Sequence, residues 1–127
     1  MPFIHVTHTT PASHDSEMAV AQGITALMHT VLRKKAELTS VLVERVPAPT
    51  WTIGGTRPPG TAHVEANITA GTNTETEKAT FIREAMALLG AELGTLPQAT
   101  YVILREIPAT DWGYDGETQK ARQEAAT

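Results

Sequence analysis

The sequence repeats itself once. Val41-Leu42-Val43-Glu44-Arg45-Val46-Pro47-Ala48-Pro49-Thr50-Trp51 returns as Val102-Ile103-Leu104-Arg105-Glu106-Ile107-Pro108-Ala109-Thr110-Asp111-Trp112, so Trp51 recurs 61 positions on, and Gly55 recurs as Gly116. A fixed period of this length marks a duplicated supersecondary unit whose copies share one core. A chain of 127 residues accommodates one compact domain and no second core. We therefore read 1–127 as a single domain of two repeats, 2–55 and 62–116, joined by a short Pro/Gly linker at 56–61 and followed by a polar tail at 117–127.

Each copy reads strand, helix, strand. In the first, Phe3–His8 is β-prone, and Ser13 caps a helix predicted to run to about Lys35, with Arg33-Lys34-Lys35 in its last turn, where positive charge suits the dipole. Met18, Ala21, Ile24, Leu27, Met28, Val31 and Leu32 recur at three and four, which predicts one apolar stripe. In the second copy Val64–Thr69 is the strand, and Thr74 with Glu77 forms a capping box. Its predicted stripe is Ile82, Ala85, Leu89 and Leu93. Right-handed crossovers make each unit a parallel pair with its helix on one side. Two units side by side predict an α+β fold, a four-stranded mixed sheet with both helices on one face.

The second face is then bare. Yet Val41-Leu42-Val43 and Tyr101-Val102-Ile103-Leu104 are continuously apolar, as in strands buried on both sides. Another copy of the chain is the expected cover. The net charge of −4 argues against a nucleic-acid partner. No apolar run reaches membrane-spanning length, and no basic start precedes an apolar stretch as in a secretory signal. Together with the absence of cysteine this suits a cytoplasmic protein. The five histidines form no metal site, since His5 and His8 point to opposite faces of a strand and His14 and His63 are isolated.

Met1-Pro2, a helix ending before Leu38-Thr39-Ser40-Val41, Pro47, Trp51 and Gly54-Gly55 resemble the tautomerase superfamily typified by 4-oxalocrotonate tautomerase. The second copy resembles it through Glu77-Lys78 and Phe81-Ile82-Arg83-Glu84. Two fused copies resemble the longer members, such as cis-3-chloroacrylic acid dehalogenase and the fused tautomerases. The resemblance implies a tautomerase/MIF-like homotrimer that needs no cofactor and acts on a small carboxylate. It also implies that Met1 is removed and that Pro2 is catalytic. A terminal proline amine has an ordinary pKa of about 8, which burial lowers towards neutrality, where a general base works best. The implied reaction is keto-enol isomerisation of an enol or dienol carboxylate such as 2-hydroxymuconate or phenylenolpyruvate. The alternatives are hydration, decarboxylation or dehalogenation of three-carbon unsaturated acids by a protonated Pro2, and an inactive trimeric binding protein.

The sequence departs from the family at its arginines. The positions that match the substrate-binding arginine are Leu42 and Ile103, and a further arginine is replaced by Ala12 and Thr72. The dehalogenase pattern falls on Thr69, Thr72, Met28 and Tyr114. The candidate substrate-binding residues are therefore Arg105, two positions beyond Ile103 and on the same side of its strand; Trp112, in the place of a pocket aromatic; Tyr114, a hydroxyl donor; His29; and Thr72.

Overall fold

The computed structural model describes residues 2–47 and 50–126, so Met1, the Ala48-Pro49 pair of the repeated stretch, and Thr127 lie outside the described residues. The first unit comprises strand β1 (Phe3–His8), helix α1 (His14–Thr30), a 3-10 turn (Ala36–Leu38) and strand β2 (Ser40–Arg45). The second comprises β3 (Ala62–Thr69), α2 (Glu75–Leu93) and β4 (Tyr101–Ile107). Beyond it lie a small hairpin of β5 (Gly113–Tyr114) and β6 (Glu117–Thr118) and a helix α3 (Gln119–Ala126). The order across the main sheet is β2-β1-β3-β4. Each unit pairs its own strands in parallel, and the antiparallel pairing of β1 with β3 joins the units.

Both caps form where the sequence places them. The Ser13 hydroxyl accepts from the Ser16 amide at 3.1 Å. At α2 the Thr74 hydroxyl accepts from the Glu77 amide at 3.1 Å, while the Glu77 carboxylate accepts from the Thr74 amide at 2.8 Å. These bonds satisfy donors that the first helical turn leaves free.

Helix α1 ends at Thr30, short of the predicted Lys35. The chain turns at Arg33, which adopts a left-handed φ of 61°, and the Lys34 amide folds back onto the Met28 carbonyl at 2.9 Å. Leu32 and Lys34 are thereby carried inward. The basic triplet is thus an inward-folding turn rather than the last turn of a helix.

The apolar stripe of α2 holds at Ala85, Leu89 and Leu93 and differs from the prediction at its first position. Phe81, Ala85, Leu89 and Leu93 are buried, whereas Ile82 is 40% exposed. The corresponding row in the first unit is Val20, Ile24, Met28 and Leu32, again 61 positions earlier and again buried. Met18 is exposed for the same reason: the row that faces the sheet runs at spacings of four. These rows pack on Ile4, Val6, Val64, Ala66 and Ile68, with Val41, Val43, Val102 and Leu104 half-buried at the margins. The strands that start the units match at an offset of 60, Ile4 and Val6 answering Val64 and Ala66, so one residue more separates strand from helix in the second unit.

The two hairpins match at 61. Gly54 and Gly55 turn the first with φ of 60° and 80°, and Asp115 and Gly116 turn the second with φ of 51° and 80°. Positive φ at both tip residues suits the twist of a tight hairpin and explains the repeated glycine after each Trp.

Among the described residues, none covers the face of the sheet away from α1 and α2. Phe3, Leu42, Tyr101 and Ile103 stand exposed on it, and β2 and β4 are its edges.

The stripe register predicts an asymmetry between neighbouring residues. Phe81→Ala should lower unfolding free energy by about 3–5 kcal/mol and Ile82→Ala by less than about 1 kcal/mol, as read from urea denaturation. Equal losses would contradict the register.

Candidate active site

Because the units run antiparallel, the loop that enters β2 in the first meets the loop that leaves β3 in the second. Pro2 lies at this end. It is buried, and its carbonyl accepts from the Ser40 amide at 3.2 Å, which ties it to the start of β2. Asn67 Nδ2 donates to the Phe3 carbonyl at 3.0 Å. Phe3 stands opposite Asn67 in the antiparallel register, so the chain before Phe3 runs towards Ile68 and Thr69, the last residues of β3.

Around that end a polar network ties the units together. Trp112 Nε1 donates to Thr69 Oγ1 at 3.2 Å. The Thr72 hydroxyl donates to the Thr69 carbonyl at 2.7 Å and accepts from Lys34 Nζ, also at 2.7 Å. Asn73 Nδ2 donates to the Leu32 carbonyl at 2.9 Å. Arg33 donates through Nε to Glu77 at 2.8 Å and through Nη2 to the Thr72 carbonyl at 3.2 Å. Lys34, only 9% exposed, is held below the ordinary lysine range, first by burial and then by the charge of Arg33. Glu77 is held down to about 2 by its bonds from Arg33, the Thr74 amide and Asn73.

A cleft of about 270 Å³ opens between α3 and the turn after α1, with Lys34, Leu38, Tyr114, Gln119, Arg122 and Ala126 on its walls. Helix α3 is fastened there by bonds from the Gln119 amide to the Trp112 carbonyl and from the Lys120 amide to the Ala109 carbonyl, both 2.9 Å. The Arg122 guanidinium lies 3.9 Å from the centroid of the Tyr114 ring, and its Nη2 donates to the Tyr114 carbonyl at 3.1 Å. Stacking and hydrogen bonding together fix its orientation.

The sequence candidates divide. Thr72, Trp112 and Tyr114 gather at this end with Pro2, Thr72 and Trp112 joined through Thr69 and Tyr114 forming a wall of the cleft. His29 sits on the exposed side of α1, its Nδ1 3.0 Å from the Lys34 carbonyl, and so braces the turn from behind. Arg105 stands apart on the open face of β4, opposite Asn67, with Nη1 3.9 Å from Glu65. Lys34, Gln119 and Arg122 were not among the candidates. A lysine beside two other cations reads as solvated surface, and only the left-handed turn at Arg33 sends it inward. Among the described residues no group of three His, Asp or Glu side chains gathers as metal ligands would. His5 pairs with Glu44 at 2.8 Å, and buried His8 bonds Glu17 at 2.6 Å and Thr10 at 2.9 Å.

No family model matches the sequence, and no curated protein does. Solved structures match it over nearly its whole length. A wild-type fused 4-OT that forms an asymmetric trimer is 27% identical, with a TM-score of 0.84 over 94% of this chain and 98% of the other. A second fused 4-OT, a symmetric trimer, is 21% identical, with a TM-score of 0.86 over the same shares. Pt0534 inactivated by 2-oxo-3-pentynoate is 14% identical, with a TM-score of 0.86 and again those shares. Two fused β-α-β units in one mixed sheet with helices on one face match the tautomerase superfamily. Within it the likeness is to the fused 4-oxalocrotonate tautomerases, in which one polypeptide carries both units.

The Glu77 carboxylate predicts a pH signature. Its folded value of about 2 lies below the ordinary 4.5, so its contribution to stability is complete above about pH 4.5 and fades as pH falls towards 2. Glu77→Gln should therefore lower the urea midpoint near pH 6 and progressively less below pH 4. A gap that stays constant over that range would contradict the assignment.

Proposed function

We propose that this chain is a cofactor-free tautomerase of small enol or dienol carboxylates, with Pro2 as general base, working as a homotrimer. The observation that carries the reading is the burial of Pro2 at the junction of the two units, on the fold of the fused 4-oxalocrotonate tautomerases. Removal of Met1 would leave Pro2 a secondary amine, and burial works against its ammonium form.

The proton inventory is simple. The ring nitrogen takes the proton of the substrate enol, the oxygen pair becomes a carbonyl, and the displaced π pair moves to carbon. The same nitrogen then returns the proton to that carbon, so the base is regenerated and nothing is consumed. Substrates of this class include 2-hydroxymuconate and phenylenolpyruvate. Trp112, held by Thr69, and Tyr114 supply aromatic walls that exclude water at this end.

Assembly follows from the open face. Exposed Phe3, Leu42, Tyr101 and Ile103 form an apolar patch of the kind that marks an interface. The fused 4-OT structures are trimers. Sister subunits covering that face and pairing with the edges at β2 and β4 would remove both the apolar exposure and the unpaired backbone.

Two tests follow. Pro2→Ala should reduce ketonisation of phenylenolpyruvate, followed by ultraviolet absorbance, by at least about 100-fold, while mass spectrometry of the wild type should find Met1 absent. Turnover unchanged in Pro2→Ala, or an intact Met1 in an active preparation, would refute the base role. Separately, light scattering should give three times the 13.6 kDa chain mass, and Ile103→Asp should break that assembly. A monomeric wild type would refute the trimer.

A further inference from the structure

Two donors at the tail end of the chain have nothing to bond. Among the described residues, Gln119 Nε2 and Arg122 Nε are buried without a hydrogen-bond partner. Native proteins seldom leave a buried donor unpaired without a reason. Both side chains line the cleft between α3 and the turn after α1, together with Lys34. Gln119 is 7% exposed and Lys34 9%, so these are not solvated surface groups. Of the three N–H bonds on the Lys34 ammonium, one is used on Thr72.

The charge around the cleft is one-sided. Arg33, Lys34, Lys35 and Arg122 line it, and among the described residues no carboxylate does, in a chain whose net charge is −4. Arg33 is engaged by Glu77. Arg122 has Glu117 at 3.9 Å from Nη2, which leaves its Nε edge without an acceptor. The stack on Tyr114 and the bond to its carbonyl hold that edge in place.

We infer that this cleft is a carboxylate-binding site, in which Arg122 Nε and Gln119 Nε2 donate to a small organic acid and Lys34 supplies the balancing charge. Planar nitrogens with fixed N–H directions suit the two oxygens of a carboxylate. The volume of about 270 Å³ lies just below the about 300–1,000 Å³ of drug-sized pockets, which points to a small acid. An arriving anion would also favour the charged form of Lys34, which burial now disfavours. The identity of the acid rests on the proposed function: it is the unsaturated 2-hydroxy or 2-oxo acid on which Pro2 acts. The site then stands in for the arginines replaced by Leu42, Ile103, Ala12 and Thr72.

The test uses maleate, a planar dicarboxylate with no enol to ketonise, titrated calorimetrically into the full chain. Wild type and Pro2→Ala should bind it alike. Arg122→Ala and Lys34→Met should each weaken binding at least about tenfold, and the same variants should raise KM for phenylenolpyruvate more than they lower kcat. Gln119→Leu separates a binding role from a structural one. Removal of an unpartnered buried donor should leave the melting temperature of the ligand-free protein unchanged or higher while maleate affinity falls. A lower melting temperature with unchanged maleate affinity would make Gln119 structural and overturn the assignment. So would maleate affinity within about twofold of wild type in all three variants, or inorganic phosphate binding more tightly than maleate. Retained maleate binding in a protein that turns over no enol would remove the base reading and leave the carboxylate site standing.

Discussion

The antiparallel seam between β1 and β3 is the constraint on which the rest of the molecule depends. Six successive residue pairs from Phe3 opposite Asn67 to His8 opposite Ala62 set the two units head to tail. The loop before β2 and the loop after β3 are thereby forced to the same end of the sheet, where Pro2 also lies. Parallel docking of the units would have sent these loops to opposite ends. The bond from Lys34 to Thr72 and the bidentate contact of Arg33 with Glu77 then lock the meeting point.

Most of the fold was legible in the sequence because it is written in signals of short range. The Ser13 cap and the Thr74-Glu77 box need only their own neighbours, and the repeated Trp-plus-glycine stretch declares the duplication. The exact face of α2 was less legible, since Phe81 and Ile82 are adjacent and both apolar; only the sheet beneath chooses Phe81. The end of α1 was misplaced because helix propensity in Arg33-Lys34-Lys35 is good, whereas the turn is imposed by tertiary contacts of Leu32 and Lys34.

The candidate site was legible only where the family resemblance carried it. The seam sets Pro2 at the same end of the sheet as Thr72, Trp112 and Tyr114, and sequence alone places each at the end of a strand or in a hairpin. Arg105 illustrates the limit of periodicity: it lies on the expected side of β4, yet its neighbour there is Glu65 across the open face. Gln119 and Arg122 fall in the segment read from sequence as a polar tail. Their placement depends on two backbone bonds to the hairpin, from Gln119 to Trp112 and from Lys120 to Ala109, which no local pattern announces.

The offset of 60 between β1 and β3 has a consequence for how duplication divided the labour. The counterpart of Pro2 in the second unit is Ala62, the first residue of β3 and in mid-chain. Its nitrogen is acylated by Thr61 and can never become an amine. The two units therefore share an architecture but not a terminus, and only the first can present a free α-amino nitrogen at the end of the sheet where β3 closes.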